Sequence, residues 1–424
     1  MGDKPDVLVI GAGAAGLAAA RELTCAGLKV TVLEARQRLG GRIYTDRSAG
    51  FPVELGAEFM HGRSPQLLNL IHRAGLNFVE VAGEFRRKRQ GLWGDSGHVM
   101  HEVNHLFENM PGDKPDQSFK QYIDHSNYKD ETKQLALNFV EGFHAADPER
   151  VGVHWLLRAT KAEEAIGGES SFRMANGYDG VINAIRSAIQ EQLCSFLLHT
   201  HVKRISWRRG EATVHTTDSE FSAPRIIITL PLGVLKAGLV VFDPLLEPKQ
   251  LAMRDLEMGP VIRVSLCFRE KFWEEQPEMR NLSFLFTDDL QFPTWWSSHP
   301  LPFPLLTGWA AGKYARALAG HSKEQIIQSA LGSLSRILEI AENDLVSRLH
   351  SGLVHDWQAD PLSCGSYSYV AVGGSMAPDA LAAPVEQTLF FAGEAANTEG
   401  HNGTVHGAIE SGERAAKELL SNVR

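Results

Sequence analysis

Cysteine is scarce in this chain: Cys25, Cys194, Cys267 and Cys364 lie far apart, with no CxxC or Cys/His spacing. That pattern excludes a disulfide framework and a zinc site, and four buried thiols in a reducing cytoplasm are expected. Long hydrophobic runs are also missing. None approaches the ~20 residues needed to cross a bilayer, and the start through Asp3, Lys4 and Asp6 lacks the basic flank and cleavage site of a signal peptide. A cytoplasmic protein with no membrane partner is expected. Positive charge is not in excess either. A formal net charge of -9 argues against a nucleic-acid partner and agrees with a cationic ligand. There is no internal repeat or low-complexity segment. What is present is an ordinary globular composition, 43% hydrophobic and 22% charged over 424 residues, enough for two or more compact bodies.

Residues 5–10 read as a buried strand, 14–26 as an Ala/Leu-rich helix, and 28–33 as a second strand ending at Glu34. The stretch 84–130, containing RRKRQGLWGDSG and MPGDKPDQS, reads as polar loop, with helices following near 130–165. Residues 199–230 alternate short β-rich runs with turns, and 261–312 carry further strand-like runs. Ile326, Ile327, Leu331, Leu334, Ile337 and Leu338 recur at helical spacing across 322–341, and TLFFAG is a strand leading to a helix from about Thr404 to Leu420. The expectation is one nucleotide-binding domain assembled from separated segments, with a second domain made by the remainder.

Gly11, Gly13 and Gly16 follow the first strand directly and open the helix. That is the context in which GxGxxG serves a dinucleotide: a tight turn, backbone close to the pyrophosphate, and close helix–strand packing. Glu34, at the end of the second strand, is placed for ribose hydroxyls, and an acid there disfavours a 2′-phosphate. Between NAD and FAD, the deciding stretch is RQRLGGR at 36–42. Arginines and a glycine pair just past the ribose acid suit the longer, extended FAD.

With these residues the chain resembles the flavin amine oxidase superfamily: monoamine oxidases, polyamine and spermine oxidases, and lysine-specific histone demethylases. The resemblance runs through GAGAAGLAAARELTCAGLKVTVLEARQRLGGRIYT, VELGAEFMHG (53–62), TLPLGVLKAG (229–238), GSYSYVAVG (365–373) and LFFAGEAANTEGHNGTVHGAIESGERAA (389–416). It implies an α/β fold with a Rossmann-like FAD domain from residues 1–75, 172–245 and 386–424. The substrate domain would come from 76–171, mostly helical, and 246–385, a six-stranded mixed sheet flanked by helices. It further implies FAD contacts at Gly11, Gly13, Ala14, Ala15, Gly16, Glu34, Ala35, Arg36, Gly41, Arg42, Val202, Gly393, Glu394, Thr404 and Val405. In these, Arg42 would neutralise phosphate, Glu394 would receive ribityl hydroxyls, and the helix near Thr404 would point its positive end at the flavin.

On the substrate side the resemblance implies hydride transfer from the carbon next to an amine to flavin N5. The resulting imine hydrolyses, and oxygen reoxidises the flavin to give hydrogen peroxide. Two side chains sandwich the amine in this family, and the matching positions are Tyr367 and Thr404; threonine there resembles the spermine oxidase and demethylase pattern. His61 matches a residue near a substrate nitrogen, Glu58 would add negative potential at the same mouth, and Trp295, Trp296, Trp309 and Trp357 are candidates for an aromatic lining. Two departures stand out. Arg263 occupies the place of a flavin-facing lysine linked to oxygen reactivity, and arginine, bulkier, planar and always protonated, does not reproduce it. Ser366 stands where monoamine oxidases bond flavin to cysteine, with Cys364 two residues farther back, so FAD is expected to be non-covalent. The motifs favour a polyamine or related small amine as substrate and call for no metal. The competing readings are an L-amino-acid oxidase using Arg63 or Arg87 for a carboxylate, and a low-turnover flavoprotein with a binding role.

Overall fold

The computed structural model describes residues 4–95 and 97–421. At its centre a five-stranded parallel sheet runs in the order Cys194–Leu197, Val30–Leu33, Val7–Ile10, Arg225–Ile228, Leu389–Phe391. Val7 to Ile10 are all buried, as an apolar run covered on both faces must be. The helix Ala14–Cys25 presents mostly alanine and glycine, which lets the C-terminal helix Val405–Ser421 pack very close: a Cβ on Gly412 would stand 2.1 Å from the Ala15 carbonyl. Strands from three distant stretches of chain thus meet in one sheet, and its carboxyl edge receives the RLGGR loop, where Gly13 pairs with Gly40.

Beside it, Glu220–Ala223, Glu211–Thr216, Val202–Arg208 and Val241–Asp243 form a four-stranded sheet. A larger sheet has seven strands, in the order Leu349–Asp356, Val261–Phe268, Leu305–Ala311, Thr294–Ser297, Leu282–Thr287, Glu84–Arg89, Leu92–Asp95. The helix Lys323–Leu338, started by a Ser322/Gln325 capping box, turns its buried apolar stripe to this sheet.

Three expectations change. The sheet has seven strands rather than six, and two of them are a hairpin in the stretch expected to be loop. Gln90 and Gly91 both take positive φ (50° and 78°), the requirement of a tight two-residue turn, and RRKR forms a strand paired with LWGD. The rest of that stretch also holds helices, Gly97–Glu108 and Phe119–Asp124, the second started by a Ser118/Gln121 capping box. Finally, the four thiols are not all buried: Cys25 is exposed and Cys364 half-buried. Among the described residues no helix is long and apolar enough to cross a membrane.

Candidate active site

A cavity of about 1760 Å³ opens along the carboxyl edge of the parallel sheet and extends under the seven-stranded one. A single small-molecule site needs roughly 300–1,000 Å³, so there is room here for two ligands end to end. Gly11, Gly13, Ala14 and Ala15 line one end. Gly16 lies beneath, where a Cβ would stand 2.0 Å from the Gly11 carbonyl, while a Cβ on Gly13 would meet nothing within 4 Å. The turn is therefore locked from below and open toward the cavity, at the N-terminus of a helix, which suits a pyrophosphate. Glu34 accepts from the Ala12 amide (2.7 Å) and the Arg36 amide (2.8 Å), one on each oxygen. A carboxylate retains further lone pairs after two such bonds, so ribose hydroxyls still have acceptors. Ala35, Gly41 and Val202 complete this wall.

Arg36 and Arg42, at the two ends of RQRLGGR, are already engaged. Arg36 pairs with Asp360 (3.0 Å), and Arg42 donates through Nη1 to Glu394 Oε1 and the Ser366 carbonyl, both at 2.8 Å. Glu394 in turn takes Ser368 Oγ (2.5 Å) and the Gly403 amide (2.9 Å) on Oε2. This buried lattice ties the N-terminal loop to the C-terminal segment through Gly393 and Glu394. Thr404 accepts from the Gly407 amide (2.9 Å) and so caps the last helix, while Val405 and His406 on its first turn also line the cavity, aiming the positive helix end into it. Ser366 Oγ, on the same wall, is buried without a hydrogen bond.

At the other end, Tyr367 donates to the Phe143 carbonyl (2.7 Å) and packs beside Gly403, which brings its ring next to Thr404. His61 has Nδ1 3.1 Å from Ser171 Oγ and its ring edge-on to Phe143, and burial lowers its pKa to about 4, so the imidazole is neutral. Trp296, Trp309 and Trp357 line the cavity, but Trp295 does not: it is fully buried in the sheet against Gly308. Arg263 is on the wall and 2% exposed, donating to Glu58 Oε2 (2.5 Å) and the Gly56 carbonyl (3.1 Å). Glu58 also accepts from Arg173 Nε (2.7 Å) and Trp296 Nε1 (3.0 Å). Burial alone would raise the Glu58 carboxyl, but Arg263 and Arg173 outweigh it and hold the group below the usual carboxylate range. Its charge is thus committed to two guanidinium groups rather than left facing the cavity. Of the arginines considered for a substrate carboxylate, Arg63 lies outside the cavity wall over Phe172, and Arg87 lines it but pairs with Glu131 (2.9 Å).

The structure also brings in residues that the sequence reading passed over. His144, half-buried among Phe139, Phe143 and Trp155, and His406 both line the cavity, and burial lowers them to about 4 and about 3. Glu163, near the end of the helix Val153–Ala165, faces the same space, and burial raises it to about 7. No short motif marks these three. His406 alone sat inside a recognised block, GTVHGA, adjacent to residues already singled out.

Comparison with known proteins agrees with this arrangement. The family described as flavin containing amine oxidoreductase matches residues 14–125 and 98–420. Polyamine oxidase 4 of Oryza sativa subsp. japonica is 32% identical over 99% of this chain and 89% of that protein. Polyamine oxidase 2 of Arabidopsis thaliana is 30% identical, again over 99% and 89%. Lysine-specific histone demethylase 2 of Homo sapiens is 28% identical over 98% of this chain and 53% of that protein. Among solved structures, putrescine oxidase bound to putrescine superposes with a TM-score of 0.83 at 23% identity, covering 99% of each chain. Cyclohexylamine oxidase from Brevibacterium oxydans IH-35A superposes with 0.82 at 21%, covering 99% and 100%. These likenesses establish the fold, and the family match establishes the cofactor as FAD: the chain belongs to the flavin containing amine oxidoreductases and is an FAD-dependent amine oxidoreductase.

Proposed function

We propose that the enzyme oxidises polyamines or related amines at a carbon next to nitrogen, giving an imine that hydrolyses, with oxygen as final acceptor and hydrogen peroxide as product. The observation that carries the polyamine reading is the charge of the amine end of the cavity. Glu163, Glu164 and Glu169 stand on its wall, while the cations of the hairpin there have carboxylate partners: Arg87 and Arg89 share Glu131, and Lys88 pairs with Glu339. Such a wall suits an extended cation and disfavours a substrate carboxylate. The relatives named polyamine oxidases, 30–32% identical over nearly the whole chain, support the same choice.

Bound FAD supplies the hydride acceptor, and the chain's own residues prepare the amine. Tyr367 and Thr404 form the two sides of the slot, and Tyr367 is fixed by its bond to the Phe143 carbonyl. His61, neutral and held by Ser171, accepts a hydrogen bond from the amine N–H without adding charge. Aromatic walls and neutral imidazoles exclude water and lower the amine's own proton affinity, so the nitrogen enters the reaction with its lone pair free. Arg263, clamped by Glu58, keeps a fixed positive charge beside the slot. FAD is held without a covalent bond: Ser366 occupies the cavity wall, whereas Cys364 is off it, its Sγ directed at the Pro361 carbonyl (3.6 Å). The scattered thiols, none disulfide-bonded among the described residues, fit a reducing cytoplasm.

The test is anaerobic mixing of the yellow protein with spermine, benzylamine or an L-amino acid. Bleaching fastest with spermine is the expected result. Bleaching by the amino acid alone overturns the polyamine reading in favour of an amino-acid oxidase, and bleaching by none of them turns it toward a low-turnover flavoprotein.

A further inference from the structure

We propose that Glu163 is the recognition group for a second, non-reacting ammonium of a di- or polycationic amine, at a subsite one step beyond the slot between Tyr367 and Thr404. The proposal deepens the polyamine reading and rests on it.

The carboxylates of the cavity wall divide by what already satisfies them. Glu34 accepts two backbone amides, Glu58 two arginines and a tryptophan, Glu394 an arginine, a serine and an amide. Glu163 is half-buried on the same wall, yet its carboxyl makes no hydrogen bond or ion pair among the described residues. Burial raises it to about 7, against the nearby His401, which pulls it down. His401 lends this carboxyl some positive potential but no hydrogen bond, so an arriving ammonium, which brings both charge and hydrogens, stabilises the anion further.

Two sets of contacts fix where this group stands. On one side, the turn after the helix Val153–Ala165 is stitched to the strand of His61: the Gly62 amide donates to the Ser170 carbonyl (2.8 Å) and the Arg63 amide to the Ile166 carbonyl (2.6 Å). On the other side, His401 Nε2 lies 3.2 Å from the Ala162 carbonyl while Nδ1 lies 2.9 Å from Glu410. With an acceptor on each ring nitrogen, His401 is an imidazolium, and Glu410 takes its charge in an ion pair. Thr404 Oγ1 donates to the His401 carbonyl (2.8 Å). Glu163 is thereby bracketed between the elements that carry His61 and Thr404, the two residues assigned to the reacting nitrogen. A chain with one nitrogen in the slot can present a second to Glu163, whereas a monoamine has nothing to place there.

The test is Glu163→Gln, nearly the same in shape, in the FAD-loaded enzyme, with anaerobic flavin reduction followed over a concentration series of spermine and of butylamine. The expected result is that half-saturation for spermine rises at least ~10-fold, with limiting rates and the butylamine values within roughly twofold, and that Glu163→Asp recovers part of the spermine affinity. Equal weakening for both amines, or none for either, overturns the subsite. If the unaltered enzyme is reduced no better by spermine than by butylamine, the polyamine reading itself falls, an outcome distinct from a polyamine preference that survives Glu163→Gln.

Discussion

At the dinucleotide end of the cavity the ligand-facing groups are largely backbone: the open side of Gly13, the N-terminus of the helix Ala14–Cys25, and a carboxylate whose geometry is set by two amides. At the amine end they are side chains borne by separate elements: His61 on one short strand, His144 after a helix, Arg263 in the seven-stranded sheet, Tyr367 on a two-stranded ladder, Thr404 and His406 at a helix start. A backbone site demands particular backbone conformations within a few residues and so leaves a compact glycine signature. A side-chain site demands only that the fold bring distant positions together.

The largest effect that separates the two ends is expected at Glu58. It lies between Arg173 and Arg263 with both guanidinium groups buried, and Arg173 Nη2 already lacks a partner. Glu58→Ala leaves two buried cations without their anion, and breaking such a cluster costs about 3–5 kcal/mol. Urea unfolding should show this loss with or without FAD; an unchanged midpoint would mean that the amine end does not depend on the clamp.

A smaller effect divides two glycines three residues apart. Gly16→Ala forces a Cβ toward the Gly11 carbonyl at 2.0 Å and Thr229 Oγ1 at 3.0 Å. Overpacking against fixed backbone should destabilise the apoprotein by about 3 kcal/mol and reduce FAD retention with it. Gly13→Ala meets no protein atom within 4 Å, so the apoprotein should unfold at an unchanged denaturant midpoint while FAD is lost on desalting. Equal apoprotein stability in both variants would erase the distinction between a packing glycine and a ligand-facing one.

The same contrast explains what could be read in the chain before its structure. The strand, helix, strand and Glu34 of the first 34 residues were legible because all their determinants are local: apolar runs, periodicity, glycines in a row. The long helices Lys323–Leu338 and Val405–Ser421 were legible for the same reason. The hairpin Glu84–Asp95 was missed because its first strand is charged, its second is only four residues long, and the turn, Gln-Gly rather than Asn-Gly, is a weaker form of the hairpin pattern. At the site, Tyr367, Thr404 and His61 came from motif blocks, but that Glu58 serves two arginines follows only from packing, since Arg173 and Arg263 are 115 and 205 residues away from it. Glu163 and His144 could not be found from pattern, because nothing within their own turns of chain differs from an ordinary helix end.

The mildest test bears on the neutral imidazoles that give the amine end its character. His144 has its pKa lowered from 6.5 to about 4, by burial first and by His61 second. The unfolded chain therefore binds more protons than the folded one between those values. Stability is fully present above pH 6.5 and declines as the pH falls toward about 4. Glu54 and Glu163, both pushed up to about 7 by burial, act in the opposite sense: the unfolded carboxyls ionise first, so stability falls as pH rises from 4.5 to about 7. The whole-protein curve mixes both signs, and only a difference between variants isolates one group. His144→Phe keeps a ring among Phe139, Phe143 and Trp155 and removes the titration. Relative to the parent, the variant should gain roughly 1–2 kcal/mol on going from about pH 7 to about pH 5, after allowance for solvent entering the cavity. Unfolding midpoints at the two pH values measure it, and a difference that does not change with pH would mean that His144 binds its proton as readily folded as unfolded, in a site that is then far wetter than its aromatic neighbours imply.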